Sequence, residues 1–169
     1  MADPQTVTFT VRSADCLDDL EPLWLALFDH HHSVGDAGLP IIERSLTWPR
    51  RRQIYSELFE SAGTFAVLAE RDSALVGYAM CHLQEHPDDS WDTSDRIGII
   101  ETLSLLPCER GNGTGTALMD AAEAELQRRG AVTMMTAVME GNDRVKQFYQ
   151  RRGMTPTVTY LMRLGPRET

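Results

Sequence analysis

The densest run of residues able to do chemistry is 103–117, LSLLPCERGNGTGTA. An apolar run stops at Pro107, and Gly111, Gly113 and Gly115 alternate with small polar residues before a helical pattern begins, so the segment reads as strand, tight turn and helix start. Glycine lets the backbone approach a ligand closely, the first N–H groups of a helix have no internal partner, and the helix dipole favours an anion there. The run is therefore a phosphate cradle, with Arg110 as a local cation. Two nucleotide-binding patterns fit it poorly. A lysine-dependent phosphate loop needs Gly-Lys followed by Ser or Thr, and no lysine lies between Gly111 and Ala117. A dinucleotide fingerprint needs glycine where Thr116 stands and an acidic residue after a second strand, and neither is present.

The elements that must position this loop follow from periodicity. Residues 6–12 alternate like a half-buried strand. Leu17, Leu20, Trp24, Leu27 and His31 recur at three- and four-residue steps, which predicts a core-facing helix that starts or kinks near Pro22. A second helix is predicted to start at Trp48-Pro49, with Ile54, Leu58 and Ala62 inward and Arg50, Arg51 and Arg52 on its exposed face. Residues 64–70 and 74–84 read as a hairpin, 85–95 as an acidic surface loop, and 96–106 as a strand. If the pleat of that strand is regular, Ile97, Ile99, Glu101, Leu103 and Leu105 share one face. The helix after the glycines carries Leu118, Ala121, Ala122 and Leu126 inward, a compact strand covers 131–138, and Asn142 or Asp143 caps a last helix with Val145, Phe148 and Tyr149 on one stripe. Residues 155–164 supply a final strand. The order β-α-α-β-β-β-α-β-α-β describes a mixed α/β domain with a mostly antiparallel sheet flanked by helices on both faces.

Arg110-Gly111-Asn112-Gly113-Thr114-Gly115 resembles the R-x-x-G-x-G signature of the GNAT superfamily of acyl-CoA-dependent N-acetyltransferases, and Leu105-Leu106-Pro107 stands where that family ends its strand. Downstream, Asn142 followed by Phe148-Tyr149-Gln150-Arg151-Arg152-Gly153-Met154 is similar to the family's N…F-Y-x-x-x-G-F segment, with Met154 where phenylalanine is commoner. The resemblance covers about 97–154. It implies that the strand backbone through Leu103, Ser104 and Leu105 pairs with the pantetheine arm of acetyl-CoA, the acyl-donor co-substrate. It also implies that the amides of Arg110, Gly111, Asn112, Gly113, Thr114, Gly115 and Thr116 hold the pyrophosphate, and that Asn142 hydrogen-bonds the arm. Tyr149, seven residues on, lies on the same helical face as Asn142.

The implied reaction is direct attack of a primary amine, on a small molecule or a peptide, on a thioester in a ternary complex. An amine of pKa near ~10 must first lose a proton, and Glu101 is the candidate base, its pKa raised by an apolar setting. Tyr149 is the candidate acid for the leaving thiolate, and a backbone N–H near Leu103 would polarise the carbonyl. Because the first two helices wall the acceptor pocket in the resembling fold, His31 and Trp48, with Glu101, are the candidate acceptor contacts. Each has a plainer alternative: Glu101 as a solvent-facing or salt-bridged carboxylate, Tyr149 as a core tyrosine, His31 as a semi-buried histidine on the helix stripe. Cys108 has no base to make it a nucleophile. His30, His31 and His32 point ~100° apart along a helix and cannot converge on one ion, so no metal is expected.

A length of 169 residues predicts one N-acetyltransferase domain over 1–169, large enough to bury roughly two-thirds of its unfolded surface. Cys16, Cys81 and Cys108 form no disulfide framework. The net charge of −9, with 16 Lys and Arg against 25 Asp and Glu, argues against nucleic acid and suits a neutral or cationic acceptor. No apolar run approaches the ~20 residues of a membrane span, and the first residues lack a signal-peptide pattern, so a cytoplasmic location without membrane attachment is expected. A homodimer is left open. The rival of another class is a regulatory module that binds an acyl-CoA without turning it over.

Overall fold

Asp72 and Ser73 both take positive φ, 52° and 64°, the handedness that matches the twist of paired strands. They fold β2 (Phe65–Arg71) back onto β3 (Ala74–Glu85), the hairpin expected there. The computed structural model describes residues 6–35, 38–85 and 90–165. Around the hairpin, β1 (Thr8–Arg12), β4 (Arg96–Leu105) and β5 (Thr133–Thr136) complete a sheet of order β1-β2-β3-β4-β5, antiparallel except for the parallel pair β4 and β5.

Alternate residues of the central strands feed two cores. On one face, Val67, Ala69, Ala79 and Ile100 pack with Leu118, Met119, Ala122 and Leu126 of α3 (Thr114–Arg128) and with Tyr149 of α4 (Asp143–Arg151). On the other, Leu68, Tyr78 and Met80 meet Leu20, Leu23, Trp24 and Tyr55. Cys16 and Leu17 of a short 3-10 segment (Ala14–Asp19) join them; Leu20 follows that segment, Leu23 and Trp24 belong to α1 (Glu21–Val34), which has Pro22 in its first turn, and Tyr55 belongs to α2 (Arg44–Phe59). Among the described residues, no helix is long and apolar enough to cross a membrane.

Three expectations are corrected. α2 begins at Arg44, upstream of Trp48, so Pro49 lies inside it. The lost ladder bond is offset by tertiary anchoring: Thr47 and Trp48 are buried, and Trp24 Nε1 donates to Thr47 Oγ1 at 3.0 Å. The buried stripe of α2 is consequently turned from the one expected. Tyr55 is fully buried, Ile54 is 41% exposed, and Arg51 faces inward while Arg50 and Arg52 are exposed. Second, residues 155–164 form no strand, and Val158, Tyr160, Leu161, Met162 and Leu164 are all exposed. Third, the pleat of β4 is not regular. Met80 pairs with Thr102 while Cys81 pairs with Ile100, which makes Glu101 an extra residue, a β-bulge. Leu103 and Leu105 join the α3-side core, whereas Thr102 and Ser104 bond to Tyr55 and Leu23 on the opposite face. Glu101 is thereby separated from Leu103 and Leu105 and turned toward α2.

The end of α3 is pinned by Glu125, only 8% exposed, which accepts hydrogen bonds from Arg128 at 2.7 and 2.6 Å and from Arg129 at 2.6 Å. Arg129 also lies 4.3 Å over the Phe65 ring. The Arg128 hydrogen bond first, with Arg129 adding to it against burial, holds the carboxyl down to about 2. A depressed folded pKa gives stability that is present above the ordinary carboxylate range and lost as pH falls toward the folded value. Glu125→Gln should therefore destabilise the fold by about 1–3 kcal/mol near neutrality. Thermal melts should show the gap to wild type closing between the ordinary carboxylate range and pH of about 2.

Candidate active site

β4 outruns β5. Their last rung is Ile100 with Thr136, yet β4 continues to Leu105, paired on its other edge with β3 as far as Gly77. From Glu101 to Leu105, therefore, the edge that faced β5 has no strand rung among the described residues, and an extended ligand with amide groups can add there as a strand does. Leu103 and Leu105 put their side chains into the core, and Ser104 Oγ donates to Leu23 O at 2.8 Å, so what this segment offers a ligand is backbone.

The strand runs through a 3-10 turn (Pro107–Glu109) into the glycine loop. Gly111 and Gly113 have φ of +86° and +85°, a region L side chains adopt with strain. Gly113 immediately precedes α3, and a Cβ built on it meets no atom within 4 Å, so the cradle fits a phosphate group brought close to the backbone. Ala117 N donates to Gly113 O at 3.1 Å. The helix ladder starts there, which places the amides of Thr114, Gly115 and Thr116 ahead of it, aimed along the dipole. Asn112 Nδ2 donates to Cys108 O, and Cys108 itself is exposed. The Arg110 side chain folds back, donating to Leu105 O at 3.2 Å and Ala26 O at 3.5 Å, while its amide donates to Pro107 O. It braces strand against helix.

Two residues of this loop region went unnoticed in the sequence. Glu109, 7% exposed, accepts paired hydrogen bonds from Arg71 at 3.0 Å and one from Thr114 Oγ1 at 3.1 Å; Arg71 first holds its carboxyl below the usual range. It clamps the first residue of α3 to the hairpin. Its one sequence signal is a carboxylate in the turn before a helix. Glu109→Ala should weaken acetyl-CoA binding about tenfold and lower Tm, because Thr114 loses the group that orients it; titration calorimetry on the variant checks this. Arg144, in the first turn of α4, brings Nη2 to 3.9 Å from the Gly111 Cβ position and supplies a second cation at the loop.

At the root of the fork sits Tyr149, 5% exposed. Burial pushes its phenol up to about 12, opposed by the Thr136 hydroxyl, which itself donates to Ile100 O at 2.9 Å. The phenol thus stands at the last rung before β4 and β5 part, as well as in the core. Asn142 is the residue before α4, buried, and its side chain makes no capping bond.

Across the sheet, Glu101 does not have the apolar setting expected of it. Arg51 Nη1 donates to Glu101 Oε1 at 2.7 Å, and His82 Nε2 lies 3.9 Å from Oε2. His82 first, with Arg51 after it, holds the carboxyl below its usual range against the opposing effect of burial, so the expected upward shift is overturned. The cause is the bulge, which aims Glu101 at α2, where the Arg51 guanidinium lies 4.3 Å over the Trp24 ring and 5.5 Å from the Tyr55 ring centre. His31 is half-buried; burial first, then His30, His32, Arg51 and Arg110, pushes it down to about 4, so it is neutral near pH 7. Trp48, 6% exposed and edge-on to Tyr55 at 6.4 Å, is a core residue that shapes the wall from behind. Beyond the end of α1 lies an apolar cleft of about 250 Å³ lined by Phe28, His32, Leu39, Ile41, Ile42 and Met139. In the acidic loop, Glu85 is paired with Arg96 at 2.6 Å, and Asp88 and Asp89 lie outside the described residues.

Residues 24–154 match the model of the acetyltransferase (GNAT) family. A mycothiol acetyltransferase of Thermobispora bispora is 33% identical over 141 residues, 80% of this chain and 43% of the relative. One from Streptomyces coelicolor is 29% identical over 143 residues, 82% of this chain and 40% of the relative. The chain thus spans less than half the length of these curated relatives. An aminoglycoside N-acetyltransferase solved in complex with CoA shares the fold, with a TM-score of 0.73 at 15% identity over 98% of each chain. So does a GCN5-related N-acetyltransferase from Ralstonia eutropha JMP134, with a TM-score of 0.74 at 22% identity over 94% of this chain and 99% of that one. A family match that runs from α1 to just past α4 takes in the whole fork, the glycine loop and the Glu101 face, and by it the chain belongs to the acetyltransferase (GNAT) family.

Proposed function

We propose that this chain transfers the acetyl group of acetyl-CoA directly to a primary amine, with both substrates bound at once, and works as one N-acetyltransferase domain. The observation that carries the reading is the fork: a β4 edge with no strand rung from Glu101 to Leu105, its Leu105 carbonyl capped by Arg110, that leads straight to the Gly113 cradle, with the Tyr149 phenol at its root. The β4 backbone holds the extended arm, and the amides ahead of α3 take the pyrophosphate, with Arg144 beside them. Asn142 orients the arm. Tyr149, kept protonated by burial, donates a proton to the leaving sulfur. Glu101, held ionised on the opposite face, draws the acceptor in as its ammonium form. His31, neutral and half-buried, contacts the acceptor as a hydrogen-bonding group. Two relatives carry mycothiol and aminoglycoside in their names, which favours a small polar acceptor over a peptide.

A panel of polyamines, aminoglycosides and amino-terminal peptides, assayed for CoA release, tests the reading. Release with at least one amine is expected. A thermal shift with acetyl-CoA but no release with any amine would favour the binding module, and no shift at saturating acetyl-CoA would remove both.

A further inference from the structure

We propose that His82 is the base that takes the proton from the acceptor amine, with Glu101 as its positioning residue; the inference rests on the acetyl-transfer reading above. A base effective near neutrality needs a proton affinity close to the operating pH. Glu101 is badly placed for that task. One carboxylate oxygen already accepts from Arg51 at 2.7 Å, and the Arg51 guanidinium itself lies 4.3 Å over the Trp24 ring. A carboxylate so held binds protons weakly.

Its other oxygen faces His82 Nε2 at 3.9 Å. Cys81 belongs to the α3-side core and Met80 to the α1-side core, so His82, next in the alternation of β3, shares the face of Glu101. The bulge opposite Met80 and Cys81 is what brings the two side chains together. The His82 side chain is 19% exposed, enough to pass a proton on to solvent. With Nε2–H turned to the carboxylate, Nδ1 carries the lone pair, and the anion stabilises the imidazolium that forms. Arg51 from α2 and Glu101 from β4 are the charges at this point. The other titratable groups on the face stay neutral near pH 7: burial raises Tyr78 and brings Tyr55 up to about 12, and it lowers His31 to about 4.

In the step, His82 Nδ1 takes one proton from the ammonium, and the freed nitrogen pair forms the N–C bond to the thioester carbonyl carbon. The C–S bond then breaks with its electron pair on sulfur, and the thiolate takes the Tyr149 phenol proton. The nitrogen's surplus proton leaves and restores the phenol through solvent. One proton per turnover passes from His82 to solvent.

The test is the pH dependence of kcat and kcat/KM, from about pH 6 to 9.5, with an amine found active in the panel, for wild type, His82→Gln, His82→Asn and Glu101→Gln. Both His82 variants should keep the acetyl-CoA thermal shift and lose about 10²-fold in kcat at pH 7, with partial recovery at high pH where free amine is abundant and with added imidazole. Glu101→Gln should raise KM for the amine and lower kcat less than the His82 variants do, while moving the acidic limb of the profile to lower pH, which a merely structural role would not do. An active wild type whose folded His82 variants keep its kcat and acidic limb overturns the inference alone. So does a Glu101→Gln variant that loses the limb altogether, since Glu101 would then be the base. A wild type that releases CoA with no amine overturns the transfer reading and this inference with it.

Discussion

Gly113→Glu is expected to abolish the rise in melting temperature that saturating acetyl-CoA gives the wild type, weakening binding by at least ~100-fold, or ~2.7 kcal/mol. The variant should fold. A Cβ at this position meets no protein atom within 4 Å, so the fold bears only the strain of an L residue at φ +85°, of order 1–3 kcal/mol. Its carboxylate, however, enters the space in front of α3 and takes the place of the pyrophosphate at the amides of Thr114 to Thr116, adding a repulsive charge. Gly113→Ala separates the two effects, since it carries the backbone strain without the charge and should retain most of the binding. Differential scanning fluorimetry and titration calorimetry on the pair read both quantities. Wild-type affinity in the Glu variant would refute the placement of the pyrophosphate.

Tyr149→Phe should reduce kcat by about 10²–10³-fold while leaving the acetyl-CoA thermal shift intact. The substitution removes only the hydroxyl. The ring keeps its place in the α3-side core, and the lost contact with Thr136 should lower stability by about 1 kcal/mol. A phenol pushed up to about 12 remains a proton donor across the working range. A core tyrosine with no part in transfer would give the opposite pattern, a lower Tm with unchanged kcat.

The parts of the fold legible in the sequence were those written into neighbouring residues. The glycine run with the helix behind it, the Asp72-Ser73 turn and the stripe of α3 each declare themselves within a dozen residues, and all stand where expected. What could not be read depends on partners far along the chain. The upstream start of α2 rests on a bond from Trp24 to Thr47, and that start turns Arg51 inward among Trp24, Tyr55 and Glu101. Residues 155–164 alternate as a strand would, but alternation states which face would be buried and says nothing of a neighbouring strand to bury it. His82 lay inside a strand with no motif around it, and only the cross-strand register places it beside Glu101.

The bulge at Glu101 has a consequence for how scaffold and chemistry are divided. Written without Glu101, β4 would alternate regularly, with Ile100 and Leu103 to one core and Thr102 and Ser104 to the other, and Met80 and Cys81 would keep their present partners. Both cores are complete without it. Glu101 is in that sense an insertion into a finished strand, a residue both cores can spare, and it turns one carboxylate toward Arg51 and His82 while the rest of β4 downstream keeps its frame.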